Sequence, residues 1–480
     1  MQTYHGISID KNDQEHLYVQ LYKSLRTLIF NNTIKPHEKL PPIRKLSEVL
    51  GVNNVTVVNA YKLLEEDALV YKKIGSGTYV APVEEDSDRV LEIEYGQDIS
   101  PYDFSISSPT ADLFPVKDFK VVIDEVLERD QGYAFGYHES QGFFPFRQSL
   151  AMMSSKMGVE VDPEQIQIIS GAQQGIDLVA KAVLDYGDYV FVEAPTYTGA
   201  LASFKLKGAL IVEIPMLENG MDMEILSQQA KKLRPKLIYV MPNFQNPTGF
   251  CYSEDKKQAL IEIARSCGAW VLEDDYAADL NIGQAPVTTL SAIQPYDRTI
   301  YVKSFSKVLM PGLRLGYMIV PGALQDEIAM AKHATDISTS GLLQRAFDLY
   351  IRKGLWDRQI VHMKRIYDKR HAVMKEFLED HQVSWIHYHL PQGGYNYWIT
   401  MDGSLNADEL MWRLNKKGVA ILSGSAFYHL QLKSSSFRLS IASIAENEIQ
   451  AGMTIIFSEI ADMYQETTGQ KLSNMKSQML

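Results

Sequence analysis

The chain predicts an α/β protein in two parts: a small helical unit ending in a β-hairpin, then a large unit of strands alternating with helices, closed by a smaller α+β portion. Three observations carry that expectation. Apolar residues recur at helical spacing from residue 16 onward. Two short strand-like runs then flank a tight glycine turn at Gly75 to Gly77. From about residue 102, runs such as QIQIIS, DYVFVEA, KLIYVMP, AWVLEDD and TIYVKSF are separated by helical stretches, the alternation expected of a parallel sheet covered by helices on both faces.

At 480 residues the chain is too long for one ordinary domain and predicts roughly three units. Apolar content of 46% and charged content of 22% are globular values. No apolar run approaches the ~20 residues that span a bilayer, and the start, MQTYHGISIDKND, lacks the apolar region of a secretion signal. Cys251 and Cys267 form neither a disulfide framework nor metal-ligand spacing. A cytoplasmic protein without a metal site or a membrane partner is expected. Its net charge of −12 would argue against nucleic acid if evenly spread, because DNA affinity rests on cations meeting phosphates. Residues 1–82, however, hold ten Lys and Arg against eight Asp and Glu, so the acidity belongs to the remainder.

Within residues 1–82, Leu17, Leu21, Leu25 and Leu28 mark a first helix that exits at Asn31, Asn32 and Pro36. A second follows Pro41 and Pro42, buries Leu46, Val49 and Leu50, and stops at Gly51. The third is capped by Asn53 or Asn54, with Val57, Tyr61 and Leu64 as its buried stripe. With the hairpin in VYKKIGSGTYVAP, this is a winged helix-turn-helix pattern. The run LPPIRKLSEVLGVNNVTVVNAYKLLEEDALVYKKIGSGTYVA closely resembles the N-terminal domain of GntR-type bacterial transcription regulators, over residues 16–82.

Residues 83–101 are acidic and aperiodic and read as a solvated linker. Residues 102–354 read as the large α/β domain. A long helical pattern, WDRQIVHMKRIYDKRHAVMKEFLE, then opens a small α+β domain over 355–480.

The ends of the predicted strands carry the chemistry. SGAQQGIDLVAKAV sets Ser170, Gly171, Ala172 and Gln173 between a strand and a helix, where free backbone N–H groups can cradle a phosphate. VEAPTYTGA offers Tyr197, suited to lie over a planar ring. MPNFQNPTGF places Asn246 before a Pro-Thr-Gly turn, and WVLEDDYAADL ends a strand with Asp274, Asp275 and Tyr276. SFSKVLMPGLRLGY supplies Lys307, with Ser304 and Arg314 on either side. An amine, a carboxylate, hydroxyls, an arginine and an aromatic ring are what pyridoxal 5'-phosphate requires of a protein.

NPTG, EDDY, then SFSK followed by PGLRLGY, in this order, closely resembles the fold-type I pyridoxal-phosphate enzymes of the aspartate aminotransferase superfamily, over roughly residues 102–465. The resemblance implies that Lys307 is the Schiff-base lysine and Asp274 the partner of the ring nitrogen, with Asp275 as the alternative. It implies that Asn246 and Tyr276 donate to the phenolic oxygen and that Tyr197 stacks on the ring. Ser304, Arg314 and the Ala172 and Gln173 backbone would hold the phosphate. SSFRLSIAS resembles the segment whose arginine pairs with a substrate carboxylate, which points to Arg438, whose planar fork suits that task.

The two halves together resemble the MocR family. That implies a pyridoxal-phosphate-dependent transcription regulator, a double-stranded DNA operator, an amino acid or amine effector sensed through the Lys307 Schiff base, and a domain-swapped homodimer. The residues expected to face DNA are Arg44, then Asn53, Asn54, Thr56, Asn59 and Lys62 on the exposed side of the third helix, and Lys72, Lys73, Gly77 and Thr78 in the wing. Asn53 and Asn54 replace the Ser-Arg common in the family, and Val58 a residue that is often polar. The alternative is a working aminotransferase with an appended DNA-binding domain, in which Lys307 also moves protons.

Overall fold

The computed structural model describes residues 4, 7, 9, 16–30, 33–35, 37–67, 69–73, 76–81, 100–137, 139–283, 287–430 and 433–469. Two compact units divide the chain, Met1–Gln97 and Asp98–Leu480. Most of the expected linker, residues 83–99, lies outside the described residues.

In the first unit, α1 (Leu17–Phe30), α2 (Ile43–Leu50) and α3 (Asn54–Glu66) enclose Leu21, Leu25, Leu46, Val57, Ala60, Tyr61 and Leu64, all buried. Helix α2 follows Pro42, whose fixed φ suits a helix start, and stops at Gly51, whose φ of 62° a side chain would resist. Asn53 caps α3: its side-chain oxygen accepts the Thr56 N–H at 2.7 Å. The wing pairs β1 (Val70–Lys73) with β2 (Gly77–Val80) antiparallel, Val70 opposite Val80 and Lys73 opposite Gly77.

The second unit opens with β3 (Tyr102–Asp103) and is organised around eight strands: β4 (Ile166–Ile169), β5 (Tyr189–Ala194), β6 (Leu210–Leu217), β7 (Gly220–Met221), β8 (Leu237–Val240), β9 (Trp270–Asp275), β10 (Thr299–Ser304) and β11 (Gly316–Ile319). Their order is β4-β11-β10-β9-β8-β5-β6-β7. Neighbours from β10 to β6 are parallel, whereas β11 runs against both its neighbours and β7 runs against β6. Every residue of β8, β9 and β10 is buried, as a sheet covered on both faces demands. Parallel strands end at one edge, so the loops after β4, β5, β8, β9 and β10 converge there.

The helix over Leu355–Asp380 leads into a four-stranded antiparallel sheet of β12 (Ile386–Tyr388), β13 (Asn396–Met401), β15 (Leu422–Ser423) and β16 (Ser436–Ser440), closed by the helix over Glu446–Thr468. Strand β14 (Val419–Ala420) pairs in parallel with β3. The residues after the linker are thus tied to this C-terminal portion: Phe104 bonds Ala420 and Ser440 through its backbone, and its ring fills the space a side chain on Gly452 would need. Among the described residues no helix is long and apolar enough to cross a membrane.

Candidate cofactor site and nucleic-acid interface

Strand alternation sends Asp274 and Asp275, the last two residues of β9, to opposite faces. Asp275 is fully occupied: one carboxylate oxygen accepts from the Tyr301 hydroxyl and from Lys303 Nζ at 3.1 Å, the other from the Ala278 N–H at 2.9 Å. Asp274 accepts from the Tyr239 hydroxyl at 2.7 Å, while its other oxygen is buried without a partner. Burial, reinforced by the Asp275 charge, pushes the Asp274 carboxyl up to about 7. An unsatisfied buried acceptor at a strand terminus is costly by itself, and a protonated ring nitrogen would satisfy it. The geometry therefore favours Asp274 over Asp275 for that place.

Lys307 follows β10 and lies in the same hollow, its Nζ donating to the Ser107 carbonyl at 2.6 Å. Burial, then the positive charges of Arg438 and Arg314, push its amine down to about 8 against the opposing pull of Asp274. Arg438, on β16, is buried; it donates to the Ser105 carbonyl at 2.5 Å and to Asn246 Oδ1 at 3.1 Å, and its Nε has no partner. Burial draws its guanidinium down to about 10. The Tyr276 hydroxyl donates to the Phe244 carbonyl and accepts from Asn396 Nδ2 at 3.1 Å, which sets Tyr276 beside the Asn246 loop.

The turn expected to cradle the phosphate lies at the start of the helix over Ala172–Val183. Its N-cap, Gly171, has φ 95° and no side chain caps the helix, so the Ala172 and Gln173 N–H groups lack intrahelical acceptors. Arg314 donates to the Ser170 carbonyl at 2.6 Å, and a Cβ on Gly171 would lie 2.6 Å from Arg314 Nη2. Gln173 Nε2 binds the Gly199 carbonyl at 2.9 Å and Ser203 Oγ at 3.0 Å, joining this turn to the helix that Tyr197 starts. Half-buried Tyr197 feels both Asp274, which raises its hydroxyl, and Arg314, which lowers it, with burial the larger cause of its upward shift. Ser304, buried at the end of β10, accepts the Ser306 N–H at 3.2 Å.

Several groups escape the sequence reading. Fully buried Lys332 donates to both Asp336 oxygens at 2.6 and 2.7 Å, to Gln174 Oε1 at 3.1 Å and to Thr339 Oγ1 at 2.9 Å. Gln174 in turn accepts the Ser170 N–H at 2.7 Å, so this network sets the turn beneath the helix start. Lys332 and Asp336 are four apart on a helix, the spacing of an ordinary surface pair, and nothing local distinguishes them. Ser105, Ser107, Tyr239 and Asn396 also lacked a signal.

An orphaned carboxylate oxygen, an uncapped helix start beside an arginine, a depressed amine and a buried guanidinium with one free N–H match a phosphorylated pyridine aldehyde together with a carboxylated amine. The residues present fit the group.

In the first unit, Arg44, Asn53, Asn54, Lys62, Lys72, Lys73 and Gly77 are exposed, while Asn59 and Thr78 are half-buried. Thr56 corrects the expectation that it faces outward. It is buried, because the helical turn sets it beside Ala60 and both its N–H and its hydroxyl bond Asn53 Oδ1, at 2.7 and 2.8 Å. Asn54 Oδ1 accepts from Ser47 at 2.7 Å, Lys72 pairs with Glu65, and Lys73 lies 5.2 Å from the centre of the Tyr79 ring. Val55 and Val58 are exposed instead.

Fold and site thus define a class: a winged helix joined to a pyridoxal-phosphate-type α/β unit. Residues 104–456 match the family described as aminotransferase class I and II, and residues 17–80 match the bacterial regulatory proteins of the gntR family. The 2-aminoadipate transaminase of Thermus thermophilus is 31% identical over 354 residues, 73% of this chain and 87% of the relative. The probable rhizopine catabolism regulatory protein MocR of Rhizobium meliloti is 27% identical over 430 residues, 84% of this chain and 85% of the relative. Among solved structures, the kynurenine aminotransferase of Pyrococcus horikoshii superposes with a TM-score of 0.73 at 30% identity, over 77% of this chain and 92% of that one. The chain belongs to the class I and II aminotransferase family, in the MocR-type arrangement that sets a gntR-family domain ahead of it. Pyridoxal phosphate is the cofactor of that family.

Proposed function

We propose that this protein is a pyridoxal-phosphate-dependent, DNA-binding transcription regulator whose aminotransferase-like unit senses an amino acid or amine. One observation carries the reading: two cations of the site hold carbonyls of a single segment, Lys307 that of Ser107 and Arg438 that of Ser105. The segment directly follows β3, and the chain leads back from it through the linker to the winged helix.

When bound, pyridoxal phosphate supplies a carbonyl carbon that takes up amines and a ring that draws off electrons. Everything else falls to the chain. Asp274 holds a proton on the ring nitrogen. Tyr197 packs over the ring, and Asn246 with Tyr276 orients the phenolic oxygen. Arg314, Ser304 and the Ala172 and Gln173 N–H groups bind the phosphate. A ligand carboxylate outcompetes the Ser105 carbonyl for Arg438, because a carboxylate meets the guanidinium fork with two bonds. Lys307, with one amine, cannot serve both the cofactor and Ser107, so the cofactor competes for the first contact and the ligand carboxylate for the second. The ligand therefore prefers the arrangement in which Ser105 is released from Arg438, and unequal preference is what shifts a population.

Titrating operator binding against candidate amines, with and without cofactor, tests this in the wild type and in Arg438→Gln. One amine should move the wild-type curve and leave the variant's in place; curves identical throughout would overturn the reading. A second reading, a turning-over aminotransferase, is favoured by the full set of site residues and by 31% identity to a transaminase. Repeated amino transfer to an oxo acid would establish it. Homodimerisation is supported by the exposed aromatic side chains of Tyr133, Phe135 and Tyr137.

A further inference from the structure

Two side chains on α3 sit where a soluble helix has no use for them. Val55 is 64% exposed and Val58 44%, while Val57, Ala60, Tyr61 and Leu64 on the other face are buried. Residues 55, 58, 59 and 62 fall at spacings of three and four, so the valines share one stripe with Asn59 and Lys62. A single exposed valine is ordinary, but a pair on one stripe calls for a partner. The charges of the unit say which kind. Exposed Arg44 and Lys45 stand at the start of α2, and Lys62 ends the stripe. Residues 1–82 carry a small positive excess in a chain of net charge −12. An exposed apolar stripe that ends in a lysine, in a unit of positive excess, suits a polyanion that displays apolar groups, and the major groove of DNA displays one, the 5-methyl of thymine.

Polar readers on this helix are few. Thr56 is turned inward, Asn53 spends its oxygen on the cap, and Asn54 spends its oxygen on Ser47. We infer that Val55 and Val58 read thymine methyl groups in the major groove, so that thymines occupy the operator positions facing α3. The inference rests on the DNA-binding reading and adds to it the kind of base contact and the residues that make it.

The full-length, cofactor-loaded protein is used to select a site from random duplexes. Each thymine of that site is then replaced singly by 2'-deoxyuridine, which lacks only the methyl, and affinity is measured by fluorescence anisotropy. At one or two positions per half-site the wild type should bind about fourfold more weakly, the effect of one buried methyl-sized group. Val55→Ser should abolish the penalty at one position and Val58→Ser at another, while Val→Thr at either site, which keeps a methyl, should retain it. Unchanged thermal unfolding would confirm that the Ser variants fold. Penalties identical in wild type and Ser variants, or no thymine whose methyl matters, would overturn the inference and leave DNA binding standing. Failure to select any sequence would overturn both.

Discussion

Asp274 and Asp275 are adjacent in sequence and opposite in circumstance. The raised carboxyl of Asp274 means that the folded apoprotein holds its proton up to about 7, whereas an unfolded aspartate releases it near ~3.9. The stability this proton brings is complete at low pH and is lost as pH rises from the unfolded value through about 7. Asp274→Asn should therefore unfold several degrees above the wild type at pH 8 as apoprotein, with the gain shrinking on acidification, while binding pyridoxal phosphate less tightly. Calorimetry of the two apoproteins across that range is the check. For Lys307 the shift is downward, so the neutral amine becomes abundant as pH climbs through about 8. Cofactor uptake followed by stopped-flow absorbance should accelerate through that range. In Arg438→Gln its midpoint should move higher, because one of the cations depressing the amine is gone. NPTG, EDDY and SFSK pointed to Lys307 and to Asp274, with Asp275 as the alternative; the physical difference between the two carboxylates lies in which face of the strand meets Lys303 and Tyr301, and that needed the fold.

The helix over Ala172–Val183 shows what an element adds. Its uncapped start was readable from Ser170 and Gly171, whereas the support beneath it joins positions 170, 174, 332, 336 and 339, distant in sequence and locally unremarkable. Lys332 is the shared donor to Gln174, Thr339 and the partly exposed Asp336 carboxylate, and leaving buried acceptors unsatisfied costs about 1–3 kcal/mol. Lys332→Met should lower cofactor affinity at least tenfold, measured by fluorescence titration, by loosening the Ser170–Gly171 turn, and should lower the unfolding temperature with it. The apolar runs Leu237–Val240, Trp270–Leu272 and Ile300–Val302 were legible because both faces are buried. Strand β3, two residues long, offered no period, and its pairing with β14 needed the fold. Thr56 was misplaced for a similar reason: a polar residue near a helix start reads as outward until the cap is seen to claim its hydrogen bonds.

Across the whole molecule, charge is divided unevenly, and DNA affinity should fall steeply with salt. Arg44→Ala should weaken binding by a similar factor on every sequence and reduce the salt slope by about one, read from affinities at several salt concentrations. The winged helix and the aminotransferase-type unit were readable from their motifs; the contacts that hold the segment after β3 were not, because they rest on backbone carbonyls, which carry no residue signature. Lys307 and Arg438 hold the Ser105–Ser107 segment, and under the proposed function it would act as a tether whose slack the ligand sets. A tether does not depend on what it pulls. An unrelated DNA-binding head spliced ahead of residue 100 should inherit the amine response, scored as ligand-dependent reporter expression from that head's own operator. A graft that binds DNA but ignores the amine would place the signal elsewhere. A graft that answers to the amine would make the second unit a transferable amine sensor, separable from the genes it governs.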